Sequence, residues 1–295
     1  MIWGLLGVVA FSLTLPLTRV AVGANSASGL DPLFVGCGRA VVAAVLAAVV
    51  LLVCRVPLPT PRQWMRLVPV SLGVVAGFPL LTSLAMPHTT AGHAAVMIGL
   101  LPAATAVVAV LLTGERPSAR FWIGAALGIA ATIIFTVTTH GGIGGVGGAD
   151  VALIGAVVLG AIGYAQGGRM SREIGAWQTI CWALILAAPV MVAGTAFSVT
   201  THPLHASGTQ WAAFAYLAAI SMFLGFFAWY RGLAIGPMTT VSQVQLVQPV
   251  LSVAWAVPLL GEPLSAPIVV GGLAVIGCAG IAVRSRVSTS ASPLR

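Results

Sequence analysis

The chain has 295 residues, of which 59% are hydrophobic and only 6% charged, and its mean hydropathy is +1.07. No water-soluble domain of that size can cover its surface from so small a polar stock, so a soluble enzyme or binding module is excluded and an integral membrane protein remains. The net charge of +8 comes from arginine alone, and its clustering at the ends of apolar segments points to one face of a bilayer rather than to nucleic acid.

About 20 apolar residues are needed to cross ~30 Å of hydrocarbon. Turn residues divide the chain into ten such pieces, predicted at 2–22, 33–54, 66–86, 91–113, 120–138, 150–169, 176–198, 210–230, 237–259 and 266–284. The first piece has no basic leader or small-residue cleavage site and reads as a span, not a removed signal. Arg39 falls in the second, roughly 10 Å below the surface at 1.5 Å per residue. There it must snorkel or find an anion; Asp31, a backbone carbonyl or a substrate carboxylate are the candidates. The cysteines at 37, 54, 181 and 278 sit in apolar stretches without metal-ligand spacing and read as small buried hydrophobes.

With the N-terminus inside, eleven of the thirteen arginines lie on the cytoplasmic side, the exceptions being Arg19 and Arg39. Trp3, Trp64, Trp122, Trp177 and Trp229 then mark inner helix ends, and Trp211 and Trp255 outer ones. Both termini are expected in the cytoplasm, in a multi-pass plasma (inner) membrane protein.

The segment from Pro102 to Gly124 recurs 147 residues later, without a gap, as Pro249 to Gly271. Gly114-Glu115 matches Gly261-Glu262, and Ser118 matches Ser265. Five spans per copy make the second copy enter the bilayer from the opposite side, so the fold expected is all-α integral membrane, ten helices in two inverted five-helix repeats. The repeats are assigned to 1–140 and 149–286, with 287–295 a short cytoplasmic tail. Gly124, Gly128, Gly271, Gly272 and Gly277 offer close packing of the fifth and tenth helices, against the plain alternative that glycine is abundant here.

The twin Gly-Glu motifs read as turns, each Gly ending one span and each Glu preceding the next helix, whose N-terminus favours a carboxylate. Asp31, Asp150 and Glu173 also map to loops or helix ends, so no carboxylate is expected at the bilayer centre. His140, His202 and His205 fall in outer loops; His88 and His93 flank the fourth span and are the candidates for proton coupling. Gln243, Gln245 and Gln248 lie near the midplane of the ninth span, and Gln245 and Gln248 share a face. Their amides can bind a polar substrate without burying a charge, or can serve as interhelical glue. Pro249 frees a carbonyl one turn earlier. The aromatics Tyr164, Phe226, Trp229 and Tyr230 line a cavity or pack at the interface. No nucleophile, metal or phosphate motif appears at membrane depth, so neither an enzyme nor a cofactor is expected.

The stretches Leu112-Thr-Gly-Glu115-Arg-Pro-Ser118 and Leu259-Leu-Gly-Glu262-Pro-Leu-Ser265, with Trp229-Tyr-Arg-Gly-Leu-Ala-Ile-Gly-Pro237 and Gln243-Val-Gln-Leu-Val-Gln-Pro249, resemble the ten-span EamA branch of the drug/metabolite transporter superfamily across the whole chain. The resemblance implies two bundles about a pseudo-two-fold axis, a central cavity from spans one, three, four, six, eight and nine, and peripheral fifth and tenth helices. It adds Met97, Thr105, Thr82 and Tyr164 to the pathway candidates. It implies export of amino acids or other small amphipathic metabolites by alternating access. Four-span relatives use a first-helix carboxylate for multidrug export; Ser12 and Thr14 stand in that helix here. Proton-coupled multidrug efflux and a non-transporting sensor are the alternatives. The partners expected are a small-molecule substrate and the lipid bilayer, in a monomer or homodimer. Function should reside where the copies differ: Val96, Ile98 and Leu101 oppose Gln243, Gln245 and Gln248.

Overall fold

The computed structural model describes residues 2–23, 28–113, 118–139, 147–235 and 244–290, the last segment with side chains as far as Ile281. Gln243, Gly114-Glu115, His140, Pro237 and Arg295 lie outside the described residues. Among the described residues eight helices are long and apolar enough to cross a membrane: α1 (Ile2–Ala21), α2 (Pro32–Val53), α3 (Pro61–His88), α4 (Ala91–Leu112), α5 (Ala119–Thr138), α6 (Gly148–Glu173), α7 (Ala176–Thr201) and α8 (Gly208–Ile235). Two shorter apolar helices follow, α9 (Gln245–Leu260) and α10 (Ala266–Ile281). No strand occurs among the described residues. Together these make a multi-pass, all-helical membrane protein, since helices satisfy their backbone groups without water.

Helix ends follow local chemistry. Asp31 caps α2 through Phe34 N with Pro32 in the first turn, and Thr60 and Gln63 form a capping box ahead of Pro61. Thr90 caps α4, and Ser207 with Gln210 caps α8. Gly261 ends α9 in the left-handed region at φ +66°, which a side chain would resist, and its N–H reaches Val257 O.

Helices α3, α6 and α8 run longer than hydropathy alone suggests. Two of them carry a wide turn in mid-helix: Ser71–Gly77 in α3 and Leu217–Leu224 in α8 are π-helical. Hydropathy cannot reveal such a change of winding, because the composition is the same on both sides of it.

Packing pairs α1 with α8, α3 with α6, α2 with α7, α4 with α9, and α5 with α10, while α6 also lies on α4 and α1 on α9. Helices α3 and α6 approach closely at Gly73 and Gly163: a Cβ on Gly73 would stand 2.4 Å from Leu159 O and 2.8 Å from Gly163 Cα. Gly7 does the same for α1 against the backbone of Trp229. At the expected α5–α10 seam, Gly271 faces the Phe135 ring, while Gly277 has nothing near it. Gly128 of α5 lies against Cys278 Cβ of α10, so glycine serves close packing at this seam as well as in the inner pairs. Helix α5 turns Ile123, Leu127, Ile133 and Ile134 outward, and α10 turns Val270 and Leu273 outward, as lipid-facing helices do.

Trp229 is a correction to the interfacial reading. It is 1% exposed and packs on Phe11 and Tyr164 in the interior, so its ring fills core space and does not anchor a helix end.

Candidate transport site

The site is built from interruptions in helices. Pro16 has no N–H to donate, which releases the Ser12 carbonyl; Ser252 Oγ donates to it at 2.8 Å and so joins α9 to α1. Trp255 Nε1 donates to Ser12 Oγ at 3.1 Å. In α4, Pro102 follows a break at Gly99 and Leu100. In α9, Pro249 follows a 3-10 turn over Gln245–Val247. These sequence-equivalent breaks face each other across a small cleft lined by Ile98 and Pro102 on one side and Gln245, Gln248, Pro249 and Ser252 on the other.

Gln248 also reaches a second, central cleft, which has about 20 Å³ of free space, enough for roughly one water molecule. Phe11 and Thr14 of α1, Arg39 of α2 and Tyr164 of α6 line it. The two π-helical turns contribute Val74 from α3 and Ser221 and Met222 from α8. Thr14 Oγ1 and Ser221 Oγ are hydrogen-bonded at 2.8 Å. Phe11, Tyr164 and Phe226 form an aromatic wall, with ring centroids 4.8 Å apart for Phe11 and Phe226 and 6.1 Å for Tyr164 and Phe226.

Polar groups here lack partners. Both amide atoms of Gln245, Gln248 Oε1 and Arg39 Nε are buried without a hydrogen bond. Arg39 is 1% exposed, and its one hydrogen bond among the described residues is a 3.4 Å contact from Nη2 to Thr82 Oγ1. Thr82 Oγ1 itself donates to Phe78 O at 2.7 Å, leaving its lone pairs for the guanidinium. An ion buried this way costs several kcal/mol unless compensated, on the order of 3–5 kcal/mol by analogy with broken buried pairs.

The expected partners of Arg39 are corrected here. Asp31 lies at the helix end, where it caps Phe34 N and accepts from Ser198 Oγ at 2.5 Å, and no backbone carbonyl among the described residues accepts from the guanidinium. The other sequence candidates divide. Gln245, Gln248, Tyr164 and Arg39 line the clefts, and Thr82 stands behind Arg39. Met97 does not join them: it is 1% exposed and accepts from Thr136 Oγ1 of α5 through Sδ. Thr105 donates to Leu101 O along its own helix. His88 is exposed at the end of α3. Phe11, Ser221, Met222 and Pro79 were not singled out by sequence; hydroxyls within apolar spans and the proline in α3 were the available signals.

One end of the bundle carries buried ion pairs. Glu262 accepts from Ala91 N at 2.8 Å and Gly92 N at 2.9 Å and pairs with Arg19 Nε at 3.1 Å. It therefore caps α4, not α10, the next helix in the chain. Arg19 Nη1 also donates to Met86 O and Thr89 O. His93 Nε2 lies 2.8 Å from Asp150 Oδ1 with both side chains buried. The opposite end holds Arg66 on Glu173 at 2.9 Å, half in solvent, and Arg231 over the Trp3 ring.

The sequence matches the EamA-like transporter family over residues 1–137 and again over residues 148–284. The chain belongs to the EamA-like transporter family. That family lies within the drug/metabolite transporter superfamily. The chain is 43% identical to the uncharacterized transporter YdeK of Bacillus subtilis (strain 168) over 282 residues, covering 95% of this chain and 96% of that one. A crystal structure of another protein, 18% identical, superposes with a TM-score of 0.66 over 96% of this chain and 98% of its own, a likeness of fold.

Proposed function

We propose that this EamA-family protein is a secondary transporter that exports small amphipathic metabolites, amino acids and related compounds foremost, across the plasma membrane by alternating access. The observation that carries the reading is the pair Gln245 and Gln248: buried amides without partners, at the break of α9, facing the matching break of α4. A protein selected for packing alone would not retain them, because each unsatisfied buried polar atom costs about 1–3 kcal/mol.

The motion proposed is rocking of two inverted halves, 1–140 and 149–286, with α9 and α10 as the ninth and tenth spans. Its support is the pairing of helices: exchanging α1–α5 with α6–α10 turns α1–α8 into α6–α3 and α4–α6 into α9–α1, while α2–α7, α4–α9 and α5–α10 map onto themselves. Arg55, Arg62, Arg66, Arg120, Arg169, Arg172 and Arg231 gather at one end, which the reading assigns to the cytoplasm together with both termini.

The test is exchange of labelled amino acids across liposomes containing the protein, faster than across protein-free ones. No difference over a broad metabolite panel overturns the reading. A proton-coupled efflux variant is favoured by one observation, the buried His93–Asp150 pair; in it, His93→Gln abolishes accumulation driven by an imposed pH gradient without lowering passive exchange.

A further inference from the structure

We infer that the central cleft, once the rocking proposed above has widened it beyond its present one-water space, is selective for carboxylates: Arg39 receives the carboxylate of the transported molecule, and Gln248 with the Phe11, Tyr164 and Phe226 wall takes the rest of it. The inference rests on the transporter reading above and narrows its substrates.

The charge on Arg39 has no balance among the described residues. Among the described residues no carboxylate lies within hydrogen-bonding or ion-pair distance of it, and each described acid is engaged elsewhere: Asp31 on α2 and Ser198, Asp150 on His93, Glu173 on Arg66, Glu262 on Arg19. The guanidinium is held by Thr82 alone, at 3.4 Å, and Nε is buried without a partner. Five donors in a rigid fork, four of them without a protein acceptor, match the two oxygens of a carboxylate.

The rest of the lining is neutral. Thr14, Ser221, Tyr164 and Gln248 are its polar groups, and aromatic and aliphatic carbon makes up the remainder. A cation without a carboxylate would add a second positive charge to a lining that holds no acid among the described residues, and would leave Arg39 unpaired, whereas the ammonium of an amino acid arrives with a carboxylate for Arg39. A neutral molecule would leave Arg39 unpaired. With a single cation present, a monoanionic carboxylate is balanced and a dianionic phosphate is not. Because Arg39 comes from α2 and Gln248 from α9, one small carboxylate compound engages helices at both ends of the chain.

The test uses the full-length protein in liposomes and matched probes: phenylalanine, phenylalaninamide and 3-phenylpropionate, then leucine, leucinamide and 4-methylpentanoate. The free acids should exchange, and the amides should fall by roughly tenfold or more, as expected for loss of a charge-assisted hydrogen-bonded pair. Amides that exchange as fast as their parents overturn the inference and leave the transporter reading intact. Failure of every probe, and of the remaining amino acids, overturns the transporter reading and the inference with it. Arg39→Gln should lose exchange of the acids, and Arg39→Lys should retain part of it; an Arg39→Gln protein that moves acids at the wild-type rate also overturns the inference. If Arg39→Gln does not elute as a folded species in detergent, the comparison of acids with amides on the unaltered protein decides alone.

Discussion

Arg19 Nε lies 3.1 Å from Glu262 Oε1, joining the last turn of α1 to the turn between α9 and α10. The same carboxylate takes two backbone N–H groups at the start of α4, where the helix dipole also favours it. Glu262→Gln leaves one oxygen for three donors and should lower unfolding stability in detergent by about 2 kcal/mol. Arg19→Gln keeps both backbone bonds and should cost about 1 kcal/mol. Equal losses for the two variants would contradict a carboxylate held mainly by the α4 N-terminus.

The glutamines should separate stability from transport. Gln245→Leu and Gln248→Leu each remove buried polar atoms that have no partner, so melting temperature should hold or rise while substrate exchange falls. A drop in stability of about 1–3 kcal/mol would show instead that the amides are packing glue.

Gly73 and Gly163 set how closely α3 and α6 approach. A methyl on Gly73 meets the Leu159 carbonyl and the Gly163 backbone, neither of which can rotate away, so Gly73→Ala should cost about 1–3 kcal/mol. Gly148→Ala, with nothing within 4 Å, should stay within about 0.5 kcal/mol of the parent. Thermal unfolding in one detergent compares them directly.

Ser252 supplies the donor that Pro16 withholds from the Ser12 carbonyl. Ser252→Ala should destabilise by about 1–2 kcal/mol by stranding that carbonyl. Pro16→Ala restores a backbone N–H, so the double variant should be no less stable than Pro16→Ala alone. Additive losses would exclude this exchange of donors.

Asp150 Oδ1 lies on His93, and its Oδ2 accepts from Gly147 N at 3.0 Å. Asp150→Asn has one acceptor for both and should cost about 1–2 kcal/mol, whereas His88→Asn, on an exposed side chain, should change unfolding by less than about 0.5 kcal/mol. A larger effect at His88 would reverse the ranking of the two histidines.

Sequence revealed much of the fold because hydropathy is additive along the chain: long apolar runs must be helices in lipid, and glycine, proline and capping residues mark where they stop. Gln245, Gln248 and Arg39 stood out for the same reason, as polar groups in apolar spans. Met97 and Thr105 did not reach the cleft, because which face of a helix points inward depends on its rotation against neighbours, and a span buried on several sides has no periodicity to report it.

By itself, then, the sequence determined the membrane class, the helix order and the polar residues that must be accounted for within the spans, since each follows from local composition. Tertiary structure alone decided who answers them. It set Glu262 on α4 and Arg19, His93 on Asp150, Ser252 on Ser12, and Arg39 against Thr82 in a cleft shaped by two π-helical turns. These contacts join residues far apart in the chain, and their partners are chosen by distance in three dimensions, which no local pattern encodes.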